Sequence, residues 1–442
     1  MIFRRHKLLI VGLALVAGFS VHWPSQATSQ QTSTAHPAIQ YEQAPINDAV
    51  TRLQQRLASR QTKLTYDKYF GWLPALLQAF EIPVSSQILT FGKTSFQAPL
   101  ISPQRPRALY FNDHISVGFI PNSPLLEIAA IDPKQGVVFY TISQDAPQPR
   151  LQRDNSCLQC HEGNATARVP GWFLRSIYPE PDGQPIFRAG GFVTDYRSPL
   201  AERWGGWYVT GTHGAQRHMG NAFARDPKNP EWLDSERAFN LTALEKRFDT
   251  TAYLTPHSDI VALMTIEHQA RVANLITAAG WETRKALHDR NVMIEALGEL
   301  TETTAASTQR RLKSACDPLV EALLFVGEAP LTEPVRGTSG FAERFAERGP
   351  RDAQGRSLRQ FDLTRRLMRY SCSFLIYSDA FDALPSETLT YVYQQMWDIL
   401  NAKEPPARFA HLSATERLAI KEILQATKTS LPSYWTTGAA RQ

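Results

Sequence analysis

Apolar and polar positions change their rhythm three times along this chain. Leu8 to Val21 is an unbroken apolar run of 14 residues, preceded by Arg4, Arg5 and Lys7 and followed by Ser25-Gln26-Ala27. A basic start, an apolar middle and a small-x-small end form the layout of an export signal. Residues 1–27 are therefore expected to be a signal peptide. The run is short of the ~20 residues a spanning helix needs, so the alternative is an uncleaved anchor holding the body to the outer face of the inner membrane. Residues 28–45 are polar and aperiodic, which predicts a mobile leader.

From residue 46 the pattern becomes that of a folded body. Val50, Leu53 and Leu57 recur at helical spacing behind Asn47, which predicts a short capped helix. Between Arg107 and Ser143, short apolar runs are separated by Asn112-Asp113, Pro121-Asn122 and Asp132-Pro133. Short runs punctuated by turn residues predict an antiparallel meander. Further strands are expected around Ile186 to Val193 and Trp207 to Thr212, with the β character ending near residue 223. Beyond Pro256 the spacing is helical: Ser258 heads a run with Val261, Met264, His268, Val272, Leu275 and Ala279 on one face. More helices are expected near 305–326, 361–377, 386–401 and 413–428, the last three starting by Asp362, Ser386 and Ser413. The stretch from Gly327 to Gly355 reads as surface loop. The fold class is α+β, with a β-rich region over 46–223 and a helical region over 224–442.

Composition changes this picture little. The chain has 442 residues, of which 43% are apolar, enough for a sizeable core. Basic residues number 47 and acidic residues 42, a net charge of +5. Three of the positives lie in the expected signal, so the body is close to neutral. That excludes the electrostatics of a nucleic-acid binder.

Chemistry is concentrated in Cys157-Leu158-Gln159-Cys160-His161. Two thiols three positions apart can add to the two vinyl groups of a haem, with the following histidine under the iron. C-x-x-C-H is the attachment signature of c-type haem. Two alternatives compete. Structural zinc wants four N or S ligands, but the other cysteines, Cys316 and Cys372, stand far apart. A redox dithiol would want a strand-to-helix start in a βαβ unit, which the pattern does not show. In an oxidising compartment Cys316 and Cys372 either form a disulfide or remain as buried thiols.

The pentapeptide resembles the attachment site of c-type cytochromes. The whole chain is similar to a group of exported bacterial single-haem proteins that share the segments RWGGWYVTGTHG, here Arg203 to Gly214, and HSDIVALM…EHQ, here His257 to Gln269. That resemblance implies a periplasmic protein with one covalent haem c on Cys157 and Cys160 and His161 as proximal ligand, but no established reaction.

A sixth ligand must be a histidine or methionine. His268 is the first candidate, His218 the second and Met264 the third, with His213 and Met219 nearby. The alternative is that Met264 fills core and His268 is a satisfied buried histidine. Trp172, Phe173, Trp204, Trp207 and Tyr208 either wall a haem pocket or are plain core. Arg168 and Arg175 either pair with propionates or are surface charge. The function expected first is electron transfer through a single haem, to a redox partner protein or a small-molecule donor or acceptor. A haem enzyme with an open distal position, peroxidase-like or a small-molecule oxidoreductase, is second, and a haem-based redox or gas sensor third. Contact with a membrane is expected only if the N-terminal segment is retained.

Overall fold

The segments between Arg107 and Ser143 lie side by side in space in the order they follow in sequence. The computed structural model describes residues 33–145, 148–235 and 237–436; the expected signal peptide lies outside them. Two helices, α1 (Ala49–Ala58) and α2 (Leu73–Ala79), come first. Strands β1 (Ile88–Thr90), β2 (Arg107–Phe111), β3 (Ile115–Phe119), β4 (Leu125–Asp132), β5 (Gly136–Ser143) and β6 (Leu151–Arg153) follow. After the one-turn helix α3 (Leu158–His161) come β7 (Leu174–Ile177), β8 (Gly191–Thr194) and β9 (Trp207–Tyr208). The main sheet has the order β6-β5-β4-β3-β2-β1-β9, and every pair in it is antiparallel. Its turns are closed by the side chains the sequence placed there. Asn112 Oδ1 accepts from the N–H groups of His114 and Ile115, and Asp132 Oδ1 from those of Lys134 and Gln135.

Both faces of the sheet are covered. Tyr110, Val117, Ile128, Val138 and Tyr140 pack with Val50, Leu53, Leu73 and Leu76 of the first two helices. Phe111, Ala129, Val137 and Phe139, one residue out of phase, pack with the long helix α4 (Ile260–Leu297) and the helices beyond it. These are α5 (Glu302–Leu323), α6 (Phe341–Glu347), α7 (Asp379–Asp382), α8 (Ser386–Asn401) and α9 (Ala414–Thr427). Nearly every residue of α4 from Ile260 to Ala273 is buried, as expected of a helix surrounded by protein on all sides. The architecture is α+β, with an antiparallel sheet in the N-terminal half and helices in the C-terminal half.

Several expectations change in detail. The described part of the leader, residues 33–45, is docked on the body: Ile39 and Tyr41 are buried, and the Tyr41 hydroxyl donates to the Val137 carbonyl at 2.7 Å. Two apolar side chains suffice to dock a segment whose composition is otherwise polar. Asp48, not Asn47, caps α1, and its second oxygen accepts from the Tyr140 hydroxyl at 2.7 Å. Asp259, not Ser258, caps α4, because the Ser258 hydroxyl donates to the Tyr208 carbonyl at 2.6 Å. No helix spans 361–377. Asp362 Oδ1 accepts from the N–H groups of Thr364 and Arg365, a local turn that competes with helix initiation. Only Phe374–Tyr377 make a 3-10 turn. The β character runs past residue 223 into a hairpin, β10 (Ala224–Asp226) and β11 (Asn229–Leu233).

Candidate cofactor-attachment site

The C-x-x-C-H segment follows the edge strand β6. Asp154 Oδ1 accepts from the N–H of Ser156 at 2.9 Å and starts the turn that carries Cys157. Helix α3 supplies one turn and stops at Glu162, whose backbone is extended. Cys157 and Cys160, three residues apart on that turn, are on the same side of it. Both thiols are free; Cys157 is half-buried and Cys160 exposed. Burial, reinforced by the charges of Asp154 and Glu127, pushes the Cys157 thiol up to about 11.

His161 is held on three sides. Its Nδ1 lies 2.9 Å from the carbonyl oxygen of Gly171, and the Gly171 N–H donates to the His161 carbonyl at 3.0 Å. The ring packs between Phe139 of β5 and Phe173, with centroid separations of 4.8 and 5.0 Å. Burial lowers the affinity of the imidazole for a second proton, although the Gly171 carbonyl opposes it. A carbonyl can only accept, so Nδ1 must carry the hydrogen. A neutral ring then leaves Nε2 with its lone pair. That is the form in which a histidine binds a metal.

The clasp is anchored to the helical half. Asn274 of α4 accepts from the Trp172 N–H at 3.1 Å and donates to the Trp172 carbonyl at 2.7 Å. Gly171 sits so close to Asn274 that a Cβ there would collide with the amide oxygen. The C-x-x-C-H segment therefore stands at the junction of the sheet and the long helix.

Behind Phe173 opens a cavity of about 360 Å³, walled by Trp172, Phe173, Ala270 and Leu275 and lined by Thr194, Asp195, Glu267 and Arg271. Asp195 pairs with Arg197 at 2.8 Å and with Arg271 at 3.5 Å. Glu267 is fully buried and pairs with Arg203 at 2.9 Å. Burial pushes its carboxyl up to about 7, while Arg203 pulls the other way. This ion pair joins the two segments singled out in the sequence, since Arg203 opens the first and Glu267 belongs to the second. The main chains meet as well: Ile260 donates to the Thr210 carbonyl at 2.9 Å.

The sequence's distal candidates are all buried. His268 is buried, with Nε2 2.8 Å from the Ser373 hydroxyl and its ring stacked on Phe325 at 4.1 Å. Burial lowers its affinity for a proton to a value of about 3. His218 lies edge-on to His213 and Trp204, also lowered to about 3 by burial. Met264 is in the main core, and Met219 accepts from the Ser176 hydroxyl at 3.5 Å. The rings packed on His161, among the described residues, are those of Phe139 and Phe173.

Of the five aromatics, Trp172 and Phe173 line the cavity. Trp204 and Trp207 belong to the core around α4, and Tyr208 to the core under the other sheet face. Arg168 donates to Asn164 at 3.0 Å, and Arg175 lies over the Phe173 ring, 5.4 Å from its centroid. Cys316 and Cys372 are both free and buried, and burial pushes the Cys316 thiol up to about 12.

Gly171, Asn274 and Phe139 were not singled out from the sequence. Their signal is spatial: nothing in a linear pattern says that residue 171 turns its carbonyl back on residue 161. Among the described residues no group of three or more His, Cys, Asp or Glu side chains is arranged to hold a bare metal ion, and no helix is long and apolar enough to cross a membrane. No family model, curated protein or solved structure matches the chain.

Proposed function

We propose that this is an exported, periplasmic protein carrying one covalent haem c on Cys157 and Cys160, with His161 as the residue that would bind its iron, and that it passes electrons through that single haem. The observation that carries the reading is the hydrogen bond from His161 Nδ1 to the Gly171 carbonyl. Metal-binding histidines give their second ring nitrogen to such a partner, which fixes the tautomer and the ring's direction. A redox dithiol has no need of this clasp on the residue after the second cysteine, and a structural zinc would want four N or S ligands.

When bound, the haem supplies one-electron chemistry at an iron tuned by its ligands and surroundings. The chain's own residues do the rest. Cys157 and Cys160 present two thiols from one helical turn. Gly171 orients His161 and keeps Nε2 unprotonated. Phe139 and Phe173 stop the ring from rotating and keep water from it. Asn274 ties this assembly to α4. The partner is a redox protein or a small-molecule donor or acceptor, and an uncleaved N-terminal run would tether the protein to the outer face of the inner membrane.

A second reading, a haem-dependent oxidoreductase, is favoured by the cavity beyond Phe173 with its buried carboxylate. The visible spectrum of the purified protein separates the two. Low-spin iron indifferent to carbon monoxide supports the carrier; high-spin iron that binds it supports the oxidoreductase. A colourless protein from cells competent in haem attachment overturns both.

A further inference from the structure

A separate cavity of about 340 Å³ opens between α2, the turn after β2 and α6. It shares no lining residue with the C-x-x-C-H segment or its clasp. Its apolar lining is Leu77, Ile82, Phe111, Phe341 and Phe345. The three rings follow one another, Phe111 to Phe341 at 5.7 Å and Phe341 to Phe345 at 5.6 Å between centroids. The volume falls at the small end of the range for ligand sites, roughly 300–1,000 Å³. The walls are tied to one another. Ser339, just before α6, donates to the Ser85 carbonyl at 2.7 Å. Arg359 donates to the Phe345 carbonyl at 3.0 Å and to both Asp113 oxygens at 2.7 and 3.1 Å. The cavity is therefore preformed, and a ligand has little ordering left to do.

The polar groups of the lining fall into two sets. Asn112 and Asp113 are spent on the fold: Asn112 donates to the Phe80 carbonyl and accepts from His114 and Ile115, while Asp113 is held by Arg359. Arg344 and Arg348 are exposed, and neither forms an ion pair or a side-chain hydrogen bond with a described residue. Their place follows from the sequence. Phe341, Arg344, Phe345 and Arg348 stand at i, i+3, i+4 and i+7, so one face of α6 brings both rings and guanidinium groups to the cavity. Glu343 and Glu347 lie outside that face and outside the lining. Glu81, exposed on the α2 side, is the one acid of the lining that Arg359 does not neutralise.

These groups describe the ligand. Two guanidinium groups against one carboxylate leave a single positive charge at the mouth, which suits a monoanion. Arginine presents paired N–H donors in a plane, the match of a carboxylate, and the phenylalanine rings are surfaces on which another ring packs well. An ammonium would face both arginines. We propose that the cavity binds a small aromatic monocarboxylate, its ring against Phe111, Phe341 and Phe345 and its carboxylate on Arg344 and Arg348. The inference goes beyond the haem reading and does not rest on it.

The test is calorimetric titration of the full purified protein with phenylacetate, 2-phenylethanol, 2-phenylethylamine and acetate. Phenylacetate is expected to bind. Phenylethanol, which keeps the ring without the charge, is expected to bind at least tenfold more weakly, and the amine and acetate to give no heat. Arg344→Gln and Arg348→Gln are each expected to weaken phenylacetate severalfold, as for the loss of one exposed charge pair, and together at least tenfold. Both side chains are exposed, so the melting temperature should not change; if the double variant fails to fold, the four ligands on the unaltered protein still decide. Phenylethanol or the amine binding as tightly as phenylacetate overturns the proposal. So does a folded double variant with undiminished affinity, or no heat from phenylacetate at millimolar concentration. Attachment of haem is read separately, from the mass.

Discussion

His161 owes its chemistry to a neighbour ten positions along the chain. The Gly171 carbonyl fixes the tautomer, and Asn274 fixes the strip on which Gly171 sits. Asn274→Ala should leave the Trp172 N–H and carbonyl buried without partners, at a cost of about 1–3 kcal/mol for each group. Urea denaturation measures it; a loss below half a kilocalorie would show that the strip holds itself. His268 presents the converse case. Its Nε2 is occupied by Ser373 and its ring is stacked on Phe325, so His268→Ala should lower stability and leave the visible spectrum as it was. A low-spin spectrum that turns high-spin in this variant would show His268 to be the distal ligand.

Buried imidazoles also set a pH dependence. His218 and His268 stay neutral in the folded protein down to about 3, whereas in the unfolded chain they gain a proton near 6.5. Between those values the unfolded state binds more protons, so stability falls as pH drops below about 6.5. Glu267 and Glu328, both raised to about 7 by burial, work in the opposite sense between about 4.5 and 7, because there the folded state holds the extra protons. His218→Gln should therefore flatten the fall of the melting temperature between pH 6.5 and 5. A slope identical to that of the unaltered protein would show that His218 is already charged in the fold.

At the scale of elements, the segment before α1 and the buried pair of Arg203 with Glu267 of α4 join parts of the chain that lie far apart in sequence. Residues 33–45 place Ile39 and Tyr41 in the core beneath the sheet. A chain beginning at Ile46 should lose several kcal/mol, in the range of about 2–5 for removal of one large core side chain. Equal denaturation midpoints for the two lengths would mean that the segment merely rests on the surface. Arg203→Met strands Glu267 in a dry environment, and breaking a buried pair in this way costs about 3–5 kcal/mol.

Much of this scale was legible in the sequence. The meander could be read because Asn112 and Asp132 do in space what their turn chemistry announces. The long helix could be read from Val261, Met264, His268, Val272 and Leu275. The segment 361–377 misled because its apolar spacing is helical, while Asp362 spends its carboxylate on a turn and the chain then packs irregularly around Tyr370 and Cys372. The leader misled because docking needs only two side chains, fewer than a compositional reading registers. Of the site, the five-residue motif was visible. Its clasp was not, since Gly171 and Asn274 act through positions that only the fold brings together.

The whole molecule joins a sheet, covered on both faces, to a long buried helix, and its one-turn C-x-x-C-H segment lies where the two meet. Its N-terminal pattern has the layout expected of an export signal. The central claim is a single haem on Cys157 and Cys160, and the mass of the intact, denatured mature protein tests it most directly. One haem in excess of the polypeptide mass is expected, with the addition lost when both cysteines are replaced by serine and unaffected by replacing Cys316 and Cys372. A mature chain at its bare polypeptide mass, expressed in cells that attach haem to other proteins, would contradict the account.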